Sequence, residues 1–215
     1  MTGPVIVLAT ENQGKIREIK DLLAERPVTI MGLSDFGPTP KPFESADSFE
    51  DNAYLKASFY ARILGFPAIA DDSGLAVDAL GGAPGVHSAR YAGEGASDRD
   101  RITKLLKNME NAADRKAAFV TAVVLAVPQG PALTWVGRCE GEITRAPEGE
   151  GGFGYDPIFF HPPTGRTFAQ LSLEEKNRVS HRGQAFREMA AEFDKVLVWL
   201  KMRLEEARPP HPHQH

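Results

Sequence analysis

The sequence predicts an α/β or α+β domain built on a mixed sheet, from three observations. Short apolar runs that suit buried strands alternate with stretches whose apolar residues recur at helical spacing. Two long strand-like segments, 117–127 and 133–143, are joined through Pro128-Gln-Gly-Pro131 and read as an antiparallel hairpin. Adjacent carboxylates, Asp71 and Asp72, close a third apolar run and lead into Ser73-Gly74.

Taken in order, Val5-Ile-Val-Leu-Ala9 is a buried strand, and Ile16, Ile19, Leu22 and Leu23 then mark a helix. A short strand around 28–31 follows, then a Pro-rich loop over 36–43. Ser48-Phe-Glu-Asp51 resembles a capping box with Asp in place of Glu, and it opens a helix reaching about Leu64. Phe66 to Ala70 form a strand ending at the Asp pair, where Gly74 lets the backbone turn away. Leu75-Ala-Val77 is a further strand, and Gly81-Gly-Ala-Pro-Gly85 a rigid turn cluster. Ser97 starts a third helix carrying Ile102, Leu105 and Leu106. After the hairpin come a glycine-rich segment, 149–154, and a short strand at 157–160. The terminal helix runs from Gln184 to about Glu205 with Phe186, Met189, Phe193, Val196, Leu197 and Leu200 on one face.

With 215 residues, 42% of them hydrophobic, the chain suffices for one domain of residues 1–205. No run approaches the ~18 apolar residues of a membrane span. Met1-Thr-Gly-Pro lacks a basic-then-apolar signal pattern, so a cytoplasmic protein is expected. A single cysteine, Cys139, excludes an intrachain disulfide and a multi-cysteine zinc site. A net charge of −4 argues against a broad nucleic-acid footprint. The His- and Pro-rich end, 206–215, reads as a disordered tail outside the mechanism.

Adjacent carboxylates at the end of a buried strand need a cation or hydrogen-bond donors to offset desolvation. Oxygen donors of this kind suit magnesium or manganese; a turn with one capping and one solvated Asp explains the pair as well. Ala9-Thr-Glu-Asn-Gln-Gly-Lys15 joins a strand to a helix start, where backbone N–H groups and Lys15 suit a phosphate. It is not a Walker A loop, because Ile16 stands where Ser or Thr would meet magnesium. An ordinary capped helix start is the bland alternative. Gly152-Phe-Gly-Tyr-Asp156 places aromatics beside glycine, where they can stack on a base or serve simply as strand-edge hydrophobes. Lys176, Ser180, His181 and Arg182 cluster before the last helix.

Together and in order these segments resemble the inosine triphosphate pyrophosphatase family, over about Val5 to Leu200. The matching stretches are 9–15, 48–57, 68–85 with Ser88-Ala-Arg-Tyr91, 151–159 and 174–183. The resemblance implies an elongated fold with a central mixed β-sheet flanked by helices, two lobes with the active-site cleft between them, and a homodimer. It implies hydrolysis of ITP, dITP and XTP to the monophosphate and pyrophosphate with Mg2+. The loop Thr10, Glu11, Asn12, Gln13, Gly14 and Lys15, with Lys56 and Arg90, corresponds to the triphosphate contacts. Glu44 and Asp72 match the magnesium carboxylates, and Asp72 also the proton acceptor, followed by Ser73. Phe153 matches the residue stacked on the purine, beside Gly154, Tyr155 and Asp156, while Lys176, His181 and Arg182 match those that read the base. Ala46 departs from a usual glycine, and His87 receives no role.

The expected reaction is attack of water on the α-phosphorus, with Asp72, or Asp71 beside it, taking the proton. Arg182, a pure donor, would favour the O6 of inosine and xanthine over the amino group of adenine. A haloacid-dehalogenase-like phosphatase is disfavoured because its carboxylates stand as Asp-x-Asp. A nucleotide-binding regulator would keep the pocket without releasing pyrophosphate. Neither a nucleic acid nor a membrane is an expected partner.

Overall fold

The computed structural model describes residues 3–42 and 46–206. Seven strands form one mixed sheet in the order β2-β1-β3-β4-β5-β6-β7. They are β1 (Val5–Leu8), β2 (Thr29–Gly32), β3 (Ala68–Val77), β4 (Lys116–Ala126), β5 (Ala132–Ile143), β6 (Phe159–His161) and β7 (Arg166–Thr167). The helices are α1 (Gln13–Leu22), α2 (Phe49–Leu64), α3 (Asp98–Asn108), α4 (Leu173–Val179), α5 (His181–Ala191) and α6 (Phe193–Glu206). β1 runs parallel to β2 and β3, and every other pairing is antiparallel.

Each strand's composition matches its place. β1 is apolar throughout because parallel neighbours and covered faces bury it. β4 is central, with Ala122 and Val124 packed in the cluster under α2 and Val123 and Leu125 in the cluster under α5 and α6. β5 alternates buried and exposed residues, as a strand with one wet face does. A third apolar cluster, from Leu75 and Val77 through Phe119 to Phe159 and Phe168, fills the opposite end of the β3–β4–β5 ladder. Between these end cores the ladder carries Asp71, Asp72, Ser73 and Thr121. There the core gives way to polar side chains.

Three expectations are corrected. β3 does not end at the aspartates: it continues through Ser73 and Gly74, paired with β4 from Ala68↔Ala126 to Val77↔Ala117. The long partner strand holds it straight, and Gly74 serves close packing instead of a turn. A Cβ there would lie 2.3 Å from the Gly85 carbonyl oxygen and 2.7 Å from Ser88 Oγ. The aspartates still stand beyond the end of a parallel pair, because β1 meets β3 only at Ala68 and Ile69. That is where open α/β sheets offer a ligand crevice.

The terminal helix is also not continuous. It begins earlier, at His181, and breaks at Glu192 without glycine or proline. The Glu192 N–H bonds back to Met189 and Ala190, and its carboxylate accepts Trp135 Nε1 at 3.2 Å. The strand predicted at 157–160 is shifted: Asp156–Ile158 form a single 3-10 turn before β6. Ser48 and Ser97 cap α2 and α3 as expected.

Candidate active site

The loop after β1 turns into α1 through Asn12, whose side chain accepts the Lys15 N–H at 3.1 Å. Asn12 itself is oriented by its N–H bond to Thr10 Oγ1 at 3.2 Å. The cap uses the Asn12 oxygen, so the helix start is ordinary in its bonding and still aims Lys15 at β3. Lys15 Nζ lies 3.0 Å from Asp71 Oδ2.

Strand alternation separates the two aspartates. Asp71 and Ser73 share the α5 face, while Asp72 shares the α2 face with Ala68 and Ala70. Asp71 is buried, and its Oδ2 accepts Ser73 Oγ at 2.7 Å and Arg182 Nη2 at 2.9 Å besides Lys15. Burial pushes its pKa up, but Lys15, Arg182 and the Ser73 hydroxyl outweigh that and hold the carboxyl far below the usual range. A carboxylate so occupied is a poor proton acceptor. Asp72 is half-buried and lines the cleft.

Arg182 belongs to a buried chain of alternating charge. Its Nε and Nη2 donate to Asp71, its Nη2 also to Ser73, and its Nη1 to Glu18. Glu18 in turn meets Lys176 Nζ at 2.7 Å, and Lys176 meets Asp156 at 2.5 Å. Three acids (Glu18, Asp71, Asp156) thus balance three bases (Lys15, Lys176, Arg182). Such burial is tolerated because every member has a partner. Burial raises the Glu18 pKa, yet Arg182 and Lys176 bring it below the ordinary value. For Asp156, burial prevails over Lys176 and the pKa rises.

Asp156 also accepts the Phe153 N–H at 2.9 Å, which folds the glycine-rich turn over the site. The Phe153 ring lies 4.6 Å from Lys176 Nζ. Arg182 Cζ lies 5.8 Å from the ring centroid, and Gly14 sits so close that a Cβ there would stand 2.3 Å from Phe153 Cδ1. Ser180 ends α4 and caps α5 with its hydroxyl on the Gly183 N–H. That places His181 in the first turn of α5, stacked on Phe119 with ring centroids 4.8 Å apart. Burial, with Arg182 and Lys176 close by, holds His181 well below its usual pKa. It is neutral at pH 7.

These groups wall a single cleft of about 390 Å³. Thr10, Asn12, Lys15, Lys56, Asp72, Ser73 and Arg90 lie along it with Phe153, Gly154, Tyr155, Asp156, Lys176, His181 and Arg182. Residues 6–192, which carry all of these groups, match the Ham1 family. The chain belongs to it.

Several relatives of similar length are named dITP/XTP pyrophosphatase. A dITP/XTP pyrophosphatase of Desulfotalea psychrophila is 51% identical over 209 residues, covering 97% of this chain and 94% of the relative. One from Syntrophobacter fumaroxidans is 55% identical over 203 residues, covering 94% and 88%. The solved structure of a HAM1 protein from Coxiella burnetii superposes with a TM-score of 0.82 at 41% identity, covering 89% of this chain and 99% of that one. The Staphylococcus aureus Ham1 protein gives 0.80 at 42%, covering 89% and 99%.

Not every predicted residue of this Ham1 chain reaches the cleft. Glu11 and Gln13 are exposed, and Glu11 pairs with Lys41 outside it. Gly14 does not line the cleft but sits against the Phe153 ring. Glu44 lies outside the described residues. Conversely, Gly74, Val86, Ser88, Ala89, Glu94, Asp98, Arg101 and Phe119 also line the cleft; sequence alone gives none of them a site role, with Gly74 marking a turn and Ser88-Ala89 only part of a matching stretch. Glu18 was missed too, although a carboxylate beside the apolar Ile19 and one turn from Lys15 is a readable signal. Cys139 is buried and its thiol is pushed up to about 12, so it is inert.

Proposed function

We propose that this chain hydrolyses deaminated purine nucleoside triphosphates (ITP, dITP and XTP) to the monophosphate and pyrophosphate, removing them from the nucleotide pool. The observation that carries the reading is one cleft that gathers two kinds of group. Lys15, Lys56, Thr10 and Asn12 suit a triphosphate, and Phe153, His181, Lys176 and Arg182 suit a purine.

Water attacks the α-phosphorus and Asp72 takes its proton. Asp71 is unsuited to that task, since Lys15, Ser73 and Arg182 hold its Oδ2 and keep the carboxyl far below its usual range, while its Oδ1 is buried. Lys15 spends part of its donor capacity on Asp71 and presents the rest, with Lys56 and Arg90, to the departing pyrophosphate. Ser73 is oriented by Asp71 and Thr121 and stands beside Asp72 on the cleft wall.

Magnesium fits the donor chemistry. Asp72 is a hard oxygen ligand on the cleft wall, and Glu44 is its proposed companion. Among the described residues no group of three or more His, Cys, Asp or Glu could form a closed cage. Magnesium needs none, being bound through one or two carboxylates plus substrate phosphates. Its chemistry is charge neutralisation at the phosphate oxygens.

Base choice follows from donors. Arg182 has five N–H groups, four of them committed to Asp71, Glu18 and Ser73, so one remains for O6. His181 is neutral, and its Nδ1 has no hydrogen-bond partner among the described residues. Adenine would bring an amino group against a donor, and such mismatches reject a base by on the order of 10⁴-fold.

No helix among the described residues is long and apolar enough to cross a membrane. The proposed setting is a cytoplasmic homodimer acting on free nucleotides, without nucleic acid or membrane. Exposed Leu55 and Ile63 on α2, and Val198 and Met202 on α6, supply apolar surface for a second copy.

A panel of nucleoside triphosphates with magnesium tests the reading. ITP, dITP and XTP should release pyrophosphate far faster than ATP or GTP. Orthophosphate as primary product would move the cut to the β–γ bond and overturn it.

A further inference from the structure

The helix α3 supplies two cleft-lining side chains, Asp98 and Arg101, that the reaction above does not use. Asp98 is in the first turn and uses both carboxylate oxygens. Oδ2 accepts the Gly154 N–H at 2.7 Å, directly after Phe153. Oδ1 accepts Arg101 Nη2, and Arg101 Nη1 donates to the carbonyl of Ala89, directly before Arg90. The result is an unbroken polar chain: Gly154 N–H, Asp98, Arg101, Ala89 C=O. One end holds the aromatic turn and the other the segment with the cationic side chain.

Both flanks are fastened. Lys104 Nζ donates to the Tyr91 carbonyl at 2.6 Å, and Asn108 to the Tyr91 hydroxyl at 2.7 Å, so α3 grips the residue after Arg90 as well. Tyr155 OH donates to the Ser88 carbonyl at 2.9 Å, a second tie between the same two segments. Arg101 is largely covered, with its side chain 19% exposed, whereas Asp98 is 44% exposed. Charge-assisted bonds to backbone groups, with one partner shielded, hold geometry better than a loose surface pair.

We infer that Asp98 and Arg101 are positioning residues that couple the purine end of the cleft to the phosphate end, through Gly154 on one side and Ala89 on the other. The inference rests on the nucleotide reading of the cleft. A base seated on Phe153 presses on the turn that Asp98 holds. Arg101 carries the constraint to the segment that sets the Arg90 guanidinium. A nucleotide with a poorly seated base then loses phosphate alignment as well as base contact, and discrimination appears in kcat as well as KM.

The test uses Arg101→Gln, which removes the charge linking Asp98 to Ala89 but leaves the Gly154–Asp98 bond possible. The first readout is amide hydrogen exchange on the ligand-free chain. Exchange should rise at least about threefold in both 85–91 and 149–156, with 5–8 in β1 unchanged. Faster exchange in 85–91 alone overturns the coupling. The second readout is a cycle between Phe153→Leu and Arg90→Lys on ITP hydrolysis. Their effects on kcat/KM should be non-additive by about fivefold or more in the parent and additive in the Arg101→Gln background. Additivity in both backgrounds overturns the inference. Arg101→Lys should restore part of the coupling, which simple loss of packing would not explain. If the parent releases no pyrophosphate from ITP, the nucleotide reading fails, and the exchange experiment still decides the coupling.

Discussion

Arg182→Met removes the centre of the buried charge chain, and its cost can be worked from the contacts. The guanidinium is 1% exposed and serves Asp71 and Glu18 together. After its loss Asp71 keeps Lys15 at 3.0 Å and Glu18 keeps Lys176 at 2.7 Å, so neither carboxylate is stranded. The balance of three acids and three bases nevertheless becomes three against two. Removing one partner of a buried pair costs ~3–5 kcal/mol, and the retained lysines favour the lower end, about 3. For a chain of this size that is a fall in Tm of about 6–12 °C, at ~2–4 °C per kcal/mol. Arg182→Met/Glu18→Gln restores neutrality and should recover part of the loss. The deficit also depends on pH. Asp71 has its folded pKa held below the unfolded one, so its stabilisation is present above about pH 4 and fades as pH falls through the folded value. Without Arg182 that pKa rises, so the deficit is largest at neutral pH and shrinks in acid. Thermal unfolding from pH 3 to 7 measures this. A single-variant loss below about 2 °C at pH 7, or a double variant that sums two independent losses, refutes the reasoning.

Three further outcomes are expected. Asp72→Asn should lower kcat for ITP by about 10²–10⁴-fold with Tm within a few degrees of the parent; full activity in the folded variant removes the proposed role. Gly14→Ala drives a Cβ to 2.3 Å from the Phe153 ring, so KM for ITP should rise severalfold more than kcat falls, in steady-state kinetics. His181 is buried neutral with its pKa depressed, so below about pH 6.5 the unfolded chain takes a proton that the folded chain refuses. Stability therefore falls with falling pH by up to ~1.4 kcal/mol per unit from this group. In denaturant titrations from pH 7 to 5.5, His181→Gln should show a shallower decline; equal slopes contradict the burial argument.

The sheet was legible where local pattern and tertiary role agree. β1 is apolar because both neighbours are parallel, β5 shows in its alternation, and the β4–β5 hairpin shows in its Pro-Gly connection. Ser48 and Ser97 announce their helices through capping, a local signal. The misreadings have non-local causes. Ser73-Gly74 looks like a turn until ten residues of β4 hold it extended. The break at Glu192 lacks any glycine or proline, and Trp135, distant in sequence, meets its carboxylate. The site was legible as short polar clusters at element ends. Which of them converge was not, since Lys15, Asp71 and Arg182 meet only through the fold. Asp98 and Arg101 look in sequence like an ordinary charged helix start, and only packing against Gly154 and Ala89 gives them a place at the cleft.

The most direct measurement is ITP hydrolysis with magnesium in ¹⁸O-labelled water, followed by mass analysis of both products. Attack at the α-phosphorus, with the triphosphate held by Lys15 and Lys56 and the water beside Asp72, places the label entirely in the monophosphate. Label in pyrophosphate, or free orthophosphate carrying it, would contradict the account.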